Sequence, residues 1–288
     1  MLETMSRLGL ASTSPDALGA AIVEGWDDFL AVVASADLSR PSRLKGLSVR
    51  DVLVHLGTWD DHQVLAGLVE AARQGDDSAS GDPDDINRAL LARHTGASDD
   101  DVLGALERSR TTVRDWFRTS APAEVGERIV SSMVGRLPLL TVLSAGRYEL
   151  AVHALDLRAD QPSDALLDHG LAALIDVTGA LASEHGIAIS LTALAPTGGW
   201  SFASDSSGWE TLRATDPFTG PGVRGDAAVL LDGSAGRAQL PALLARRRLK
   251  VQDMRGFLRL APMVDAVPGL PGGAVLRTGV KALGRLFG

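Results

Sequence analysis

Glu149 and His153 stand four residues apart in the stretch RYELAVHALD, residues 147–156, and Asp156 follows three positions later. Four helical residues turn a chain by about 400° and advance it about 6 Å, so the two side chains project from one face. Their neighbours Leu150, Ala151, Val152, Ala154 and Leu155 mark the stretch for burial. A carboxylate and an imidazole buried side by side cost several kcal/mol unless something compensates them. A divalent cation compensates both, because the carboxylate supplies charge and the neutral imidazole a lone pair. An ion pair or hydrogen-bonded pair across one helical turn is the alternative.

Two ligands on one helix seldom hold a metal firmly, so a third must come from elsewhere. His55 lies in RDVLVHLGTW, on the apolar face of another expected helix. Facing helices of a bundle can bring it to Glu149 and His153. Two histidines and one carboxylate leave a coordination position vacant, as catalytic zinc requires and structural zinc usually does not. Asp156 is the expected acceptor for an imidazole N–H. The alternative for His55 is a satisfied core histidine. His62, one heptad later, competes for the same role, although Asp61 and Gln63 point to a wetter setting. His94, His169 and His185 receive no role.

The elements that must position these groups are legible in part. Ser14-Pro15-Asp16 reads as a helix start: a cap, a proline at the first helical position and an acid on the positive dipole end. Ile22, Trp26, Phe29, Leu30 and Val33 follow at helical spacing. Ser48 and Asp51 form a capping-box-like start for a second helix, with Val52, His55, Leu56, Trp59 and Gln63 on one broad face. GDDSASGDPDD, residues 75–85, reads as a loop. A third helix starts near Ser98 and runs through Trp116 and Phe117. A fourth runs from about Pro138 to Asp160. Four helices with ordinary loops suggest a bundle.

After Pro162 the pattern changes. Residues 164–184 suit a linking helix. ISLTAL, GWSFAS and WETLRAT alternate, with turn residues between them, and read as antiparallel strands. GDAAVLL and AQLPALLARR read as helical, LKVQ as a short strand, and RGFLRLAPMV as a last packed helix. The fold class is therefore α+β: a helical bundle over 14–162, then a linking helix and smaller α+β domain over 163–266. Residues 267–288 read as a linker and a basic amphipathic tail. Such a helix can lie on a membrane surface, bind a partner or dock on its own protein.

The 288 residues carry a formal charge of −8, which argues against nucleic acid as a partner. ARRRLK, residues 245–250, is the densest basic run and reads first as a solvated helix end. There is no cysteine, so a thiol nucleophile would have to arrive from outside. The amino terminus lacks the apolar core of a signal peptide, and no uninterrupted apolar run approaches the roughly 20 residues that cross a bilayer. A cytoplasmic location is the default.

DVLVHL on a capped second helix, followed by RLPLLTVLSAGRYELAVHALDL, resembles the mycothiol-dependent maleylpyruvate isomerase family. That family's amino-terminal domain is a DinB-like four-helix bundle. The resemblance implies a divalent metal, with zinc the expected ion, held by His55, Glu149 and His153. The family's aspartate three residues after the last ligand matches Asp156. VRGDAAVLLDGSAGR and LPALLARRRLKVQDM are similar to the family's sterol-carrier-like carboxy-terminal domain, in which Arg237 matches the arginine of a Gly-Arg pair. LLDGSAGR is less apolar than the family's usual helix there. The resemblance covers residues 14–262. It implies mycothiol or a similar small thiol as cofactor, a small electrophile such as maleylpyruvate as substrate, and cis–trans isomerisation or thiol S-transfer as the reaction. Arg237 would hold a carboxylate of substrate or thiol in bidentate fashion, or else serve as a charge at a helix end. The competing class is a binding module that carries an apolar ligand in the sterol-carrier-like domain, with membrane contact through the tail.

Overall fold

The structure is a computed structural model that describes residues 7–78 and 82–260. The expected tail over 267–288 lies outside the described residues, as do the last residues of the expected final helix. In chain order the elements begin with β1 (Arg7–Leu8), a 3-10 turn (Gly9–Ser12), α1 (Pro15–Val33), α2 (Val49–Leu56) and α3 (Val64–Gln74). Next come α4 (Pro83–Arg93), α5 (Asp99–Phe117), α6 (Ala121–Val125), β2 (Ile129–Ser132), β3 (Gly135–Pro138) and α7 (Leu139–Asp156). The remainder comprises α8 (Asp164–Glu184), β4 (Ile189–Ala195), β5 (Gly198–Asp205), β6 (Gly208–Ala214), β7 (Gly222–Gly225), α9 (Ala227–Ser234), α10 (Leu240–Ala245), β8 (Leu249–Gln252) and α11 (Met254–Leu258). Mixed helix and sheet makes this an α+β protein. Its described residues divide into two compact units, one spanning Ser14–Leu166 and the other combining residues 7–13 with 167–260.

In the helical unit the caps act as the sequence requires. Ser14 accepts a hydrogen bond from the Ala17 amide, and Ser48 and Ser98 form full capping boxes with Asp51 and Asp101. Helix α1 buries Leu18, Ile22, Phe29, Val32 and Val33 and packs on α5 and α7. Helix α7 is buried around most of its circumference, from Leu139 through Ala154, which places it at the centre of the unit. Arg158, with φ of 54°, is in the left-handed region, so α7 ends at Asp156 and not near Asp160.

The unit holds more helical segments than the four expected from periodicity: the described residues form seven between Pro15 and Asp156. Helix α2 stops at Leu56, because Gly57 is extended and a Cβ there would lie 2.8 Å from that of Ala105 on α5. Trp59 and Gln63 therefore do not continue its face. Trp59 turns back, and its Nε1 donates to the Val54 carbonyl at 3.0 Å. Part of the expected loop over 75–85 is the start of α4, capped by Asp82, whose carboxylate accepts from the Asp84 and Asp85 amides. The short hairpin of β2 and β3, with Ile129 opposite Pro138, leads directly into α7.

In the second unit a six-stranded sheet has the order β1-β6-β5-β4-β7-β8. Strands β4, β5 and β6 form the expected antiparallel meander, whereas β7 joins β4 in parallel and β8 pairs antiparallel with β7. Helix α8 covers this sheet; a Cβ at Gly179 would meet Trp209 and Phe202 at 2.9 and 3.0 Å, so the small residue sets a close approach. By length and composition α8 is apolar enough to cross a membrane, and 67% of that apolar window is buried. Its Asp176 is fully buried, and one carboxylate oxygen accepts from the Leu10 amide, Trp209 Nε1 and Thr211 Oγ1 at 2.9, 2.9 and 2.7 Å.

Candidate metal centre

Two helices of the first unit bring together three side chains that could ligate a metal. Helix α7 presents Glu149 and His153 one turn apart, and α2 packs beside it and presents His55. One ligand atom from each of His55, Glu149 and His153 lies within 4.8 Å of the others. His153 Nε2 is 3.3 Å from Glu149 Oε2. The His55 and His153 rings meet edge to face with centroids 5.3 Å apart. Ligand atoms about 2.0–2.1 Å from a tetrahedral zinc lie roughly 3.4 Å from each other. The three groups thus need only a small inward adjustment to share one ion.

The supporting contacts point the same way. Asp156, completely buried, places its Oδ2 3.1 Å from His153 Nδ1. Asn87 places its Oδ1 2.9 Å from His55 Nδ1. With each Nδ1–H donated to its oxygen, both Nε2 atoms keep a lone pair for a cation. The Arg43 amide donates to the Asp156 carbonyl at 2.9 Å, which ties the loop before α2 to the end of α7.

The electrostatics of the metal-free cluster follow from these contacts. Burial lowers the pKa of His153, but the carboxylates of Asp156 and Glu149 outweigh it and raise the value to about 9. His55 moves the other way: burial lowers its pKa, and the neighbouring His153 charge adds to this. The two carboxylates thus favour a proton on His153, while burial and the His153 charge disfavour one on His55. A divalent ion would replace the proton on His153 as the positive charge between Glu149 and the two rings.

Asn87 escaped the sequence reading. It sits on α4, whose start lay hidden in an acidic stretch, although Asp82-Pro83 is itself an N-cap followed by a first-turn proline. His62 and His94 do not join the cluster. His94 stacks on Trp59 with ring centroids 3.9 Å apart, and Asp61 lies 3.1 Å from His94 Nε2 and 3.2 Å from Arg93 Nε. Arg237 belongs to the second unit, three residues beyond α9, where it is exposed and its Nη1 donates to the Ala235 carbonyl at 3.3 Å.

Residues 20–158 match the family described as the Mycothiol maleylpyruvate isomerase N-terminal domain. A sequence search of curated proteins finds no match. Among solved structures, the mycothiol-dependent maleylpyruvate isomerase is similar at 18% identity and a TM-score of 0.49, over 84% of this chain and 92% of that one. A histidine-to-alanine mutant of that enzyme gives the same coverage and TM-score at 17% identity. A UbiJ-SCP2 ubiquinone synthesis protein is 17% identical over 36% of this chain and 93% of its own, with a TM-score of 0.26. The helical unit, over residues 20–158, thus resembles the Mycothiol maleylpyruvate isomerase N-terminal domain.

Proposed function

We propose that this protein is a metal-dependent enzyme that uses a small thiol, mycothiol or a close equivalent, to isomerise or conjugate small electrophiles such as maleylpyruvate. The observation that carries the reading is the convergence of His55, Glu149 and His153 within 4.8 Å, from two helices, with His153 buried and the other two half-buried. Three protein ligands of this kind suit zinc with one position left for a reactant. Bound there, a divalent cation would supply the charge that lowers a thiol pKa from its usual value near 8.5.

The chain's own residues have separable tasks. His55 and His153 donate Nε2 lone pairs, and Glu149 supplies the neutralising charge. Asp156 and Asn87 fix the ring orientations and tautomers through Nδ1. The protein has no cysteine to compete with an incoming thiol for the metal or the electrophile.

Metal analysis of the purified protein tests the first half. About one divalent ion per chain is expected, and His55→Ala should lose most of it. Absence of metal from the unsubstituted protein supplied with zinc overturns the reading. The metal-loaded protein is then given maleylpyruvate and mycothiol. Appearance of the trans isomer with thiol undiminished identifies an isomerase, whereas stoichiometric loss of thiol identifies a transferase. Neither change, with metal bound, refutes the enzymatic reading.

A further inference from the structure

The second unit contains a cleft of about 690 Å³ against the β4, β7 and β8 end of its sheet. Arg224, Arg247, Arg248 and Lys250 line it, together with Asp216 and Asp226. Leu194, Ala195 and Pro196 add an apolar wall. One carboxylate is already engaged, since Asp216 Oδ1 lies 2.7 Å from Arg224 Nη2. Among the described residues, the side chains of Arg247, Arg248 and Lys250 have no ion-pair or hydrogen-bond partner. Cationic side chains thus concentrate in a concave site on a chain of net charge −8.

Two local features of this cleft run against the stability of the fold. In the antiparallel pairing of β7 with β8, Arg224 lies directly opposite Lys250. Like charges in that relation repel, where a neutral or opposite-charge pair would not. Arg247 occupies the left-handed position after α10, at φ 55°. That position ends helices and is normally given to glycine. The capping bonds are nevertheless complete: the Arg247 amide donates to Leu244 O and the Arg248 amide to Leu243 O, each at 3.0 Å. Gly225 lets the turn lie close, because a Cβ there would fall 2.8 Å from the Arg248 carbonyl. A glycine at 247 and a neutral residue at 250 would serve the backbone better, yet both positions carry cations facing one cleft. Departures from local preference of this kind cluster where a ligand supplies the missing compensation.

We infer that this cleft binds a small organic anion, its carboxylate or phosphate oxygens held by Arg247, Arg248 and Lys250 and its apolar part on Leu194, Ala195 and Pro196. None of these residues belongs to the metal centre, so the inference stands or falls separately from the proposed reaction. Isothermal titration of the full chain at low salt, with adipate in one arm and inorganic phosphate in the other, tests it. Saturable binding of either anion supports the inference, and the arm that responds identifies the headgroup. The affinity should fall with added salt and weaken about tenfold in each of Arg247→Gly and Lys250→Thr. Both variants should keep or raise the ligand-free thermal midpoint, since each relieves a local cost. Arg248→Gln, which leaves the turn and the strand pairing alone, serves as a third probe and should weaken binding similarly. No binding of either anion overturns the inference, and so does binding that all three variants leave unchanged. Binding to vesicles of anionic lipid without binding of either small anion would assign the patch to a membrane surface and would also overturn it.

Discussion

Asp156 has no solvent exposure, and its carboxylate faces the ring nitrogen of His153 that a cation would not use. If the proposed site holds a metal, removing only this charge, in Asp156→Asn, should weaken divalent-metal binding by roughly 10–100-fold while leaving His55, Glu149 and His153 in place. Competition with a chromogenic chelator measures this, and an unchanged constant would deny Asp156 its orienting role. The same residue shapes the pH response. The folded-state pKa of His153, about 9, lies above its ordinary 6.5, so the charged imidazole stabilises the metal-free fold. That contribution is complete below about pH 6.5 and disappears as pH rises through about 9. Metal must displace the same proton, so apparent metal affinity should rise with pH across this window. Chelator competition at several pH values would show it. The convergence of these three side chains was legible because helical spacing fixes Glu149 against His153, and because the apolar face of DVLVHL is where a solvated histidine is not expected. Asn87 was illegible, since nothing in an isolated asparagine tells which imidazole it will meet across 32 positions.

Helix α2 is only eight residues long and carries His55 in its last turn. So short a helix owes its existence to packing and to its ends. The side chain of Ser48 accepts from the Asp51 amide at 3.2 Å, and the Asp51 carboxylate accepts from the Ser48 amide at 2.8 Å. Ser48→Ala removes one half of this reciprocal cap and should cost about 1 kcal/mol. Urea unfolding followed by circular dichroism would register the loss as a lower midpoint with an unchanged slope. A stability equal to that of the parent would show that packing alone holds the helix start. Capping signals of this kind made the beginnings of α1, α2 and α5 readable, whereas the ends were harder to place. The apolar face continued in sequence through Trp59, but the close approach of Ala105 at Gly57 ends the helix at Leu56. That contact joins residues far apart in sequence, so the periodicity of one segment could not reveal it.

At the scale of the whole chain, Arg7 and Leu8 complete a sheet built from strands between residues 189 and 252. Strand β1 has two residues, Arg7 and Leu8, paired in parallel with Gly208 and Trp209. So short a strand has no alternation to read, and its partner lies some two hundred positions away, so the amino terminus suggested no element at all. Side chains then secure what the strand begins. Arg7 Nη1 lies 2.8 Å from Asp205 Oδ2, the Leu10 amide donates to buried Asp176, and Leu10 and Ala11 are buried. The Asp205 carboxyl is held down to about 2, first by hydrogen bonds from Ser207 and then by Arg7. Deleting residues 1–13 should therefore destabilise the second unit rather than the helical unit that follows them directly in sequence. The lost burial of Leu10 and Ala11, with one buried hydrogen bond, sets the cost at about 3–5 kcal/mol. Hydrogen exchange followed by mass spectrometry locates the effect. Peptides covering β6 should exchange faster in the truncated protein, because the edge of β6 loses its neighbour, while peptides from α7 keep their protection. If β6 exchanges as slowly as before, the amino-terminal segment does not hold that edge of the sheet.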